Sequence, residues 1–352
     1  MGATTSEIEG LHGTLDLMKG TFSGIGRQVT LRSFDSILDK FINDEDQIKG
    51  DEDHEGAELG ATTPLLERSI KVTSGVHRKV YAIDSSSIVL GQASNGVLFS
   101  IRTVVIGWDP ASSKQTIERR FEVPGYVSFE NKDKIYEELR SKLWGLEEGA
   151  KAPDPFKMVD RVRNLYEKYA QLELADRTKD SILLFDGSLT GDTIDTPADV
   201  LSRILEAANS NGSDVVSISK STKLVTTSGT RILELLDPSF QPPIVIPITD
   251  LLKMKQHYRV LGDVFVGRLS DAPLSFRIDA KSDRKAKDVF SDLLASVQLE
   301  SGYPVPLIQA HVNCYYNAYD AFAVRVYLAR MNVPMKEEIN IRGILFGMYG
   351  GT

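Results

Sequence analysis

Ser181-Ile-Leu-Leu-Phe-Asp186-Gly-Ser188 is an apolar run short enough for a buried strand, and it ends in a carboxylate followed by small residues. Lys79-Val-Tyr-Ala-Ile-Asp84-Ser-Ser86 repeats the arrangement. Two such strands side by side place Asp84 and Asp186 at one edge of a sheet, where small neighbours let other groups approach closely. Paired oxygen ligands suit a hard divalent cation such as Mn²⁺ or Mg²⁺. The reaction class they most often serve is metal-assisted phosphodiester cleavage. Asp before Gly or Ser also starts ordinary turns, so the pair takes its meaning from the rest of the chain.

Working outward, Pro197 with Thr196 as N-cap opens a helix to about Ala208, and Asp214–Ser219 reads as the next strand. Strand, helix, strand with short connections predicts a parallel unit in one sheet. Upstream, 133–174 is helical in pattern except from Gly145 to Pro155. The second of these helices is capped by Asp154 and carries Val159, Val162, Leu165, Tyr166, Tyr169 and Leu172 on one face. Val80–Ile83, Ser87–Leu90, Gly96–Ile101 and Val104–Ile106 read as successive strands, with Asn95-Gly96 as a hairpin turn. A segment from Glu118 to Val127 adds another strand. Asp263–Arg268 and Leu274–Asp279 flank a Ser-Asp-Ala-Pro turn and predict a second hairpin, and 310–330 closes the chain with helix. The fold class is mixed α/β. Residues 1–75 form a helical and acidic extension, with Leu31, Phe34, Ile37, Leu38, Phe41 and Ile42 at helical spacing, and 76–352 form the main domain.

At 352 residues, with 41% hydrophobic and 26% charged residues, the chain has the composition of an ordinary soluble protein. No run approaches the ~18 apolar residues that would cross a bilayer, and no signal or transit pattern opens the sequence. One cysteine, Cys314, excludes an internal disulfide and a multi-cysteine zinc site. These features predict a cytoplasmic protein. The formal charge of −8 does not exclude a nucleic-acid substrate, because eight carboxylates and one lysine are concentrated between Asn43 and Glu58 and the remainder is nearly neutral.

A convincing metal site needs a third carboxylate, and the helix before Ser181 offers Glu167 and Glu173. Glu173 lies nearer the C-terminal end, where the macrodipole opposes it, which favours Glu167. His311 follows a proline-stiffened entry to an apolar helix, Gly302-Tyr303-Pro-Val-Pro-Leu-Ile-Gln-Ala-His311. A position near the helix N-terminus would keep its imidazole neutral and able to ligate metal or take a proton. Tyr303 would order a nucleotide or simply pack. Lys220, just past the strand ending at Ser219, is placed to hold a phosphate. Each of these residues also has an ordinary structural reading as a surface charge, cap or core side chain. No P-loop, dinucleotide fingerprint, nucleophile elbow or zinc-finger spacing occurs in the sequence.

The order Tyr-Ala-Ile-Asp84-Ser-Ser, a Glu-bearing helix, Leu-Leu-Phe-Asp186-Gly-Ser-Leu, Ser-Ile-Ser-Lys220, Phe-Arg277-Ile-Asp279 and Gly-Tyr303-Pro-x-Pro-Leu-x-x-Ala-His311 resembles the NurA family. These are prokaryotic, chiefly archaeal, nucleases that work with the HerA translocase at DNA ends. The resemblance spans about residues 78–330. It implies an RNase H-like mixed sheet flanked by helices, a Mn²⁺-dependent site, and 5′–3′ exonuclease and single-strand endonuclease activities. It further implies a homodimer docked on a HerA-like hexameric ATPase, with DNA ends as substrate and no membrane. By position, Asp84, Asp186 and a helix Glu resemble the family's metal carboxylates, and Tyr303 and His311 its C-terminal pair. Asp84-Ser-Ser departs from the family's usual Asp-Gly-Ser or Asp-Gly-Gly, which would tighten a turn there. The chain contains no ATP-binding loop, so a motor must be another protein; residues 1–42 are a candidate contact for it. The competing reading is a catalytically weak adaptor that loads or regulates a hexameric translocase.

Overall fold

A computed structural model describes residues 14–25, 28–32, 57–59, 65–146, 151–192, 196–222, 224–226, 229–236, 240–254 and 259–337. Eleven of its strands form one mixed sheet. They are β1 (Val29–Leu31), β2 (Ile70–Lys71), β3 (Lys79–Ala93), β4 (Gly96–Asp109), β5 (Lys114–Ser128), β6 (Ser181–Asp186), β7 (Asp214–Ser219), β8 (Ile244–Pro247), β9 (Asp263–Arg268), β10 (Phe276–Lys281) and β11 (Met335–Glu337). Their order is β11-β1-β3-β6-β7-β10-β9-β8-β2, with β4 on β3 and β5 on β4. The pairs β3–β6 and β6–β7 are parallel, as the strand–helix–strand pattern predicts, whereas β3–β4–β5 and β7–β10–β9–β8 are antiparallel.

Helices cover both faces. Those that pack on the sheet include α1 (Lys132–Leu139), α2 (Pro155–Arg177), α3 (Ala198–Ser210), α4 (Ala286–Ser296), α5 (Val305–Cys314) and α6 (Ala318–Arg330). Alternate residues of β6 explain its unbroken apolar run. Leu183 and Phe185 pack with Val162, Leu165, Leu201 and Ile204 of α2 and α3. Ile182 and Leu184 pack with Phe290, Leu293 and Leu307 of α4 and α5. The start of α2 follows from its sequence: Asp154 accepts the Phe156 N–H at 3.0 Å and Pro155 occupies the first turn, where its missing N–H costs nothing. A side-chain cap of this kind contributes about 1 kcal/mol. No described helix is long and apolar enough to cross a membrane.

Several sequence expectations need correction. The strands expected over 80–83 and 87–90 are one strand, β3, and those over 96–101 and 104–106 are one strand, β4. Asp84-Ser-Ser is therefore strand interior and not a turn. The physical reason is that β4 pairs with β3 along its whole length, Ser85 facing Thr103 and Ser86 facing Arg102. What ends at Ile83 is the pairing with β6. The hairpin loop is Ser94-Asn95, with Ala93 already opposite Gly96. Pro197, not Thr196, is the N-cap of α3, without a side-chain bond. The second strand of the later hairpin begins at Phe276. Leu31 is not on a helix: it lies on β1, 5% exposed, within an apolar cluster containing Leu90, Tyr316 and Leu328. Phe34, Ile37, Leu38, Phe41 and Ile42 lie outside the described residues.

Candidate active site

Two chain features bring the first two carboxylates level. β3 and β6 pair in parallel from Lys79 opposite Ser181 to Ile83 opposite Phe185, so the next residues are Asp84 and Asp186. There β6 ends while β3 continues, and among the described residues the β6-side edge of β3 has no strand beside it until β1 joins at Gly91. Groups from other elements occupy that open edge. Ser86 donates its hydroxyl to the Cys314 carbonyl on α5, and Arg163 of α2 donates from Nη1 to the Ser85 carbonyl at 3.4 Å.

Asp84 is 8% exposed. Its Oδ1 accepts the Ser85 N–H at 2.7 Å, and its Oδ2 lies 2.8 Å from His311 Nδ1. Asp186 is half-buried. Its Oδ1 accepts the Gly187 N–H at 3.0 Å and the Tyr303 hydroxyl at 3.1 Å, while Oδ2 accepts Lys220 Nζ at 2.9 Å. Gly187 has φ +95°, a conformation that a side chain would strain, so the turn out of β6 requires glycine directly after the carboxylate. Lys220 also stands 5.4 Å over the Tyr303 ring.

Glu167 sits midway along α2, and its Oε1 accepts Gln171 Nε2 at 3.3 Å. Gln171 is fully buried and in turn accepts Lys168 Nζ at 3.1 Å. Burial pushes the Glu167 carboxyl above the usual range; Lys168 and Arg163 oppose the shift, and the Asp84 and Asp186 charges reinforce it. Glu167 thus shares a field with both Asp residues. Glu173 does not: its Oε2 is bound to Arg120 Nη2 at 2.6 Å. The structure therefore brings Asp84, Glu167, Asp186, Lys220, Tyr303 and His311 together and leaves Glu173 outside.

The protonation states follow from the same neighbours. Burial tends to lower Lys220, but the Asp186 carboxylate outweighs it and raises the ammonium, which stays charged. Burial and then Asp186 push the Tyr303 phenol up, so it remains a hydrogen-bond donor. His311 requires a correction. Pro304 caps α5 and Pro306 lies in its first turn, so the helix starts at Val305 and His311 falls in its last turn, at the negative end of the dipole. The neutral-imidazole argument from a helix N-terminus does not apply.

Two neighbours escaped the sequence reading. Cys314 is buried, and its sulfur lies with the His311 nitrogen and an Asp84 oxygen within 4.8 Å of one another. The His311-x-x-Cys314 spacing on one helix face was the available signal. Burial, then the Asp84 and Glu167 charges, push the thiol up, so it stays protonated. Arg163 lies one turn before Glu167, a spacing that places both on one side of α2.

A model of the NurA domain matches residues 78–313. The crystal structure of the NurA nuclease from Sulfolobus solfataricus aligns over 84% of this chain and 97% of its own, at 17% identity and a TM-score of 0.50. That is a likeness of fold, and it agrees with the mixed sheet flanked by helices. A structure of NurA with manganese aligns over 84% and 96% of the two chains, at 11% identity and a TM-score of 0.48. Endonuclease V from Bacillus subtilis aligns over 87% and 100%, at 11% identity and a TM-score of 0.37. No curated protein matches the sequence.

Proposed function

The chain belongs to the NurA nuclease family, and on that premise we propose that it is a Mn²⁺- or Mg²⁺-dependent deoxyribonuclease. Asp84, Glu167, Asp186 and His311 would hold the cation. The observation that carries this reading is that β3 and β6 run level to Asp84 and Asp186, with His311 Nδ1 2.8 Å from Asp84 Oδ2 and with Glu167 close enough for both Asp charges to help raise its carboxyl. A divalent cation would offset those charges. With the Cys314 thiol held protonated, the set offers oxygen and imidazole donors, the chemistry of a hard cation. A bound cation would supply Lewis-acid neutralisation of charge on the phosphodiester oxygens.

The chain's own residues do the rest. Lys220 and Arg163 bring fixed positive charge to the site and attract a backbone phosphate. Tyr303 and Gly187 hold Asp186 Oδ1 from two directions. His311, half-exposed with Nδ1 turned to Asp84, has only Nε2 left: it either ligates the cation or, left off it, takes the proton of the water that attacks phosphorus, while the 3′ oxygen leaves and is protonated from solvent.

The family premise extends the proposal to 5′–3′ exonuclease and single-strand endonuclease activity on DNA ends, as a homodimer working with a HerA-like hexameric ATPase. Leu31 is buried on β1 and unavailable to such a partner, so a contact within residues 1–42 would have to use other side chains. The test is digestion of labelled single-stranded and duplex DNA with Mn²⁺, Mg²⁺ or EDTA, with and without a hexameric partner. Cation-dependent cleavage is expected. Partner binding with no cleavage at any cation would favour the adaptor.

A further inference from the structure

Arg277 and Asp279 lie two residues apart on β10, so their side chains share a face, and they are 1% and 0% exposed at the side chain. Arg277 Nε and Nη2 donate to the two Asp279 oxygens at 2.8 and 2.9 Å. Two charges this deep are costly to desolvate, and apolar residues of similar volume often replace such a pair without loss of stability. Stability is thus a weak reason for the pair. Its outward bonds suggest a stronger one. Asp279 Oδ2 accepts the Leu189 N–H at 2.9 Å, and Arg277 Nη2 donates to Thr190 Oγ1 at 3.3 Å. Leu189 and Thr190 belong to the segment that leaves β6 directly after Asp186, although β10 lies two strands away.

The intervening strand holds the same segment. Ser217 stands beside Asp279 and Ser219 beside Arg277 in the β7–β10 register. Their hydroxyls both donate to the Gly187 carbonyl, at 2.9 and 2.6 Å. The Gly187 N–H is shared between the Ile218 carbonyl at 3.2 Å and Asp186 Oδ1 at 3.0 Å. Four polar side chains from two adjacent strands therefore fix residues 187–190, and the first peptide of that segment orients the Asp186 carboxylate.

We propose that Arg277 and Asp279 are positioning residues: they clamp the segment after β6 and so fix the direction in which Asp186 faces Asp84 and Glu167. The proposal rests on the metal-site reading above. Outer partners of this kind typically change metal affinity by about 10–100-fold when removed.

The test replaces both charges at once, Arg277→Met with Asp279→Leu, so that neither is left buried without the other, and measures Mn²⁺ binding by titration calorimetry beside folding and kinetics. The expected result is a folded protein with Mn²⁺ affinity lowered by about 10-fold or more, a reduced kcat and a nearly unchanged KM for DNA. Thr190→Val removes the hydroxyl that accepts from both Arg277 and Ser188 and keeps the ion pair; it should lower Mn²⁺ affinity by a smaller factor, about 2–5-fold on the same scale. Wild-type Mn²⁺ affinity and kcat in the folded double variant would overturn the proposal. Should the double variant not fold, unchanged Mn²⁺ affinity in Thr190→Val would overturn it instead. Wild-type protein that binds no Mn²⁺, or binds it equally well as Asp186→Asn, would sink the metal-site reading itself and this inference with it.

Discussion

The two ends of the central parallel strands both carry buried or half-buried carboxylates, but their charges are handled in opposite ways. At one end Asp214 and Asp292 are 2% and 3% exposed. Arg284 bonds both, at 2.9 and 2.6 Å, and Arg78 bonds Asp214 as well. Ser282 and the Val76 N–H supply further donors. At the other end Asp84 and Asp186 both act on Glu167 electrostatically, and Lys220 bonds Asp186. The first cluster is neutralised within the fold and ties β7, α4 and the segment before β3 together. In the second, Asp84 bonds His311 and no arginine or lysine among the described residues, and on the proposed reading a divalent cation completes the set. Carboxylate count does not separate structure from function here; the supply of partners does.

The comparison breaks most visibly in a matched pair of substitutions. Asp186→Asn should leave thermal stability nearly unchanged and lower cleavage by on the order of 10³-fold, the scale of losing an electrostatic element of a site. Asp214→Asn should do the reverse, destabilising by about 3 kcal/mol because Arg78 and Arg284 lose their shared partner, with near-normal activity per folded molecule. Thermal melts beside single-turnover digestion check both; equal losses of stability in the two variants would erase the distinction.

His311→Ala comes next, with turnover down by about 10²-fold and DNA affinity little changed, since the imidazole is assigned to metal or proton and not to phosphate charge. Parallel loss of DNA affinity at an unchanged saturated rate would move His311 to a binding surface. The smallest effect is expected from Glu167→Gln in EDTA. Burial raises the Glu167 carboxyl in the folded state, with Asp84 and Asp186 adding to the shift. A raised folded value gives a stability contribution that is full below the unfolded value and is lost as pH rises through the folded one. Metal-free wild type should therefore lose stability over that rise, and Glu167→Gln should not. Melting curves across pH that superimpose for the two proteins would contradict the assignment.

How legible this was in the sequence depended on how local each signal is. Asp154-Pro155 announced the start of α2, and the Asp214–Ser219 strand was read to the residue, because caps and short apolar runs are local. Asp186-Gly187 was legible for the same reason, the glycine marking a positive φ at the strand end. Asp84 misled because Ser85-Ser86-Ser87 looks like a turn, whereas pairing to β4 on the other side carries the strand through it. That is a long-range property no window displays. Leu31 followed helical spacing yet joined β1, where tertiary pairing overrode the pattern. Nor could spacing separate Glu167 from Glu173, since Arg120 lies on β5, far away in the chain.

The central claim is that the carboxylates beside the end of β6 hold a divalent cation, and titration calorimetry with Mn²⁺ at neutral pH tests it most directly. Wild-type protein should bind Mn²⁺ and melt at a higher temperature in its presence. The Asp84→Asn and Asp186→Asn variants, folded but lacking one carboxylate each, should lose both the binding heat and the thermal shift. Mn²⁺ binding of wild-type strength in either folded variant would contradict the account.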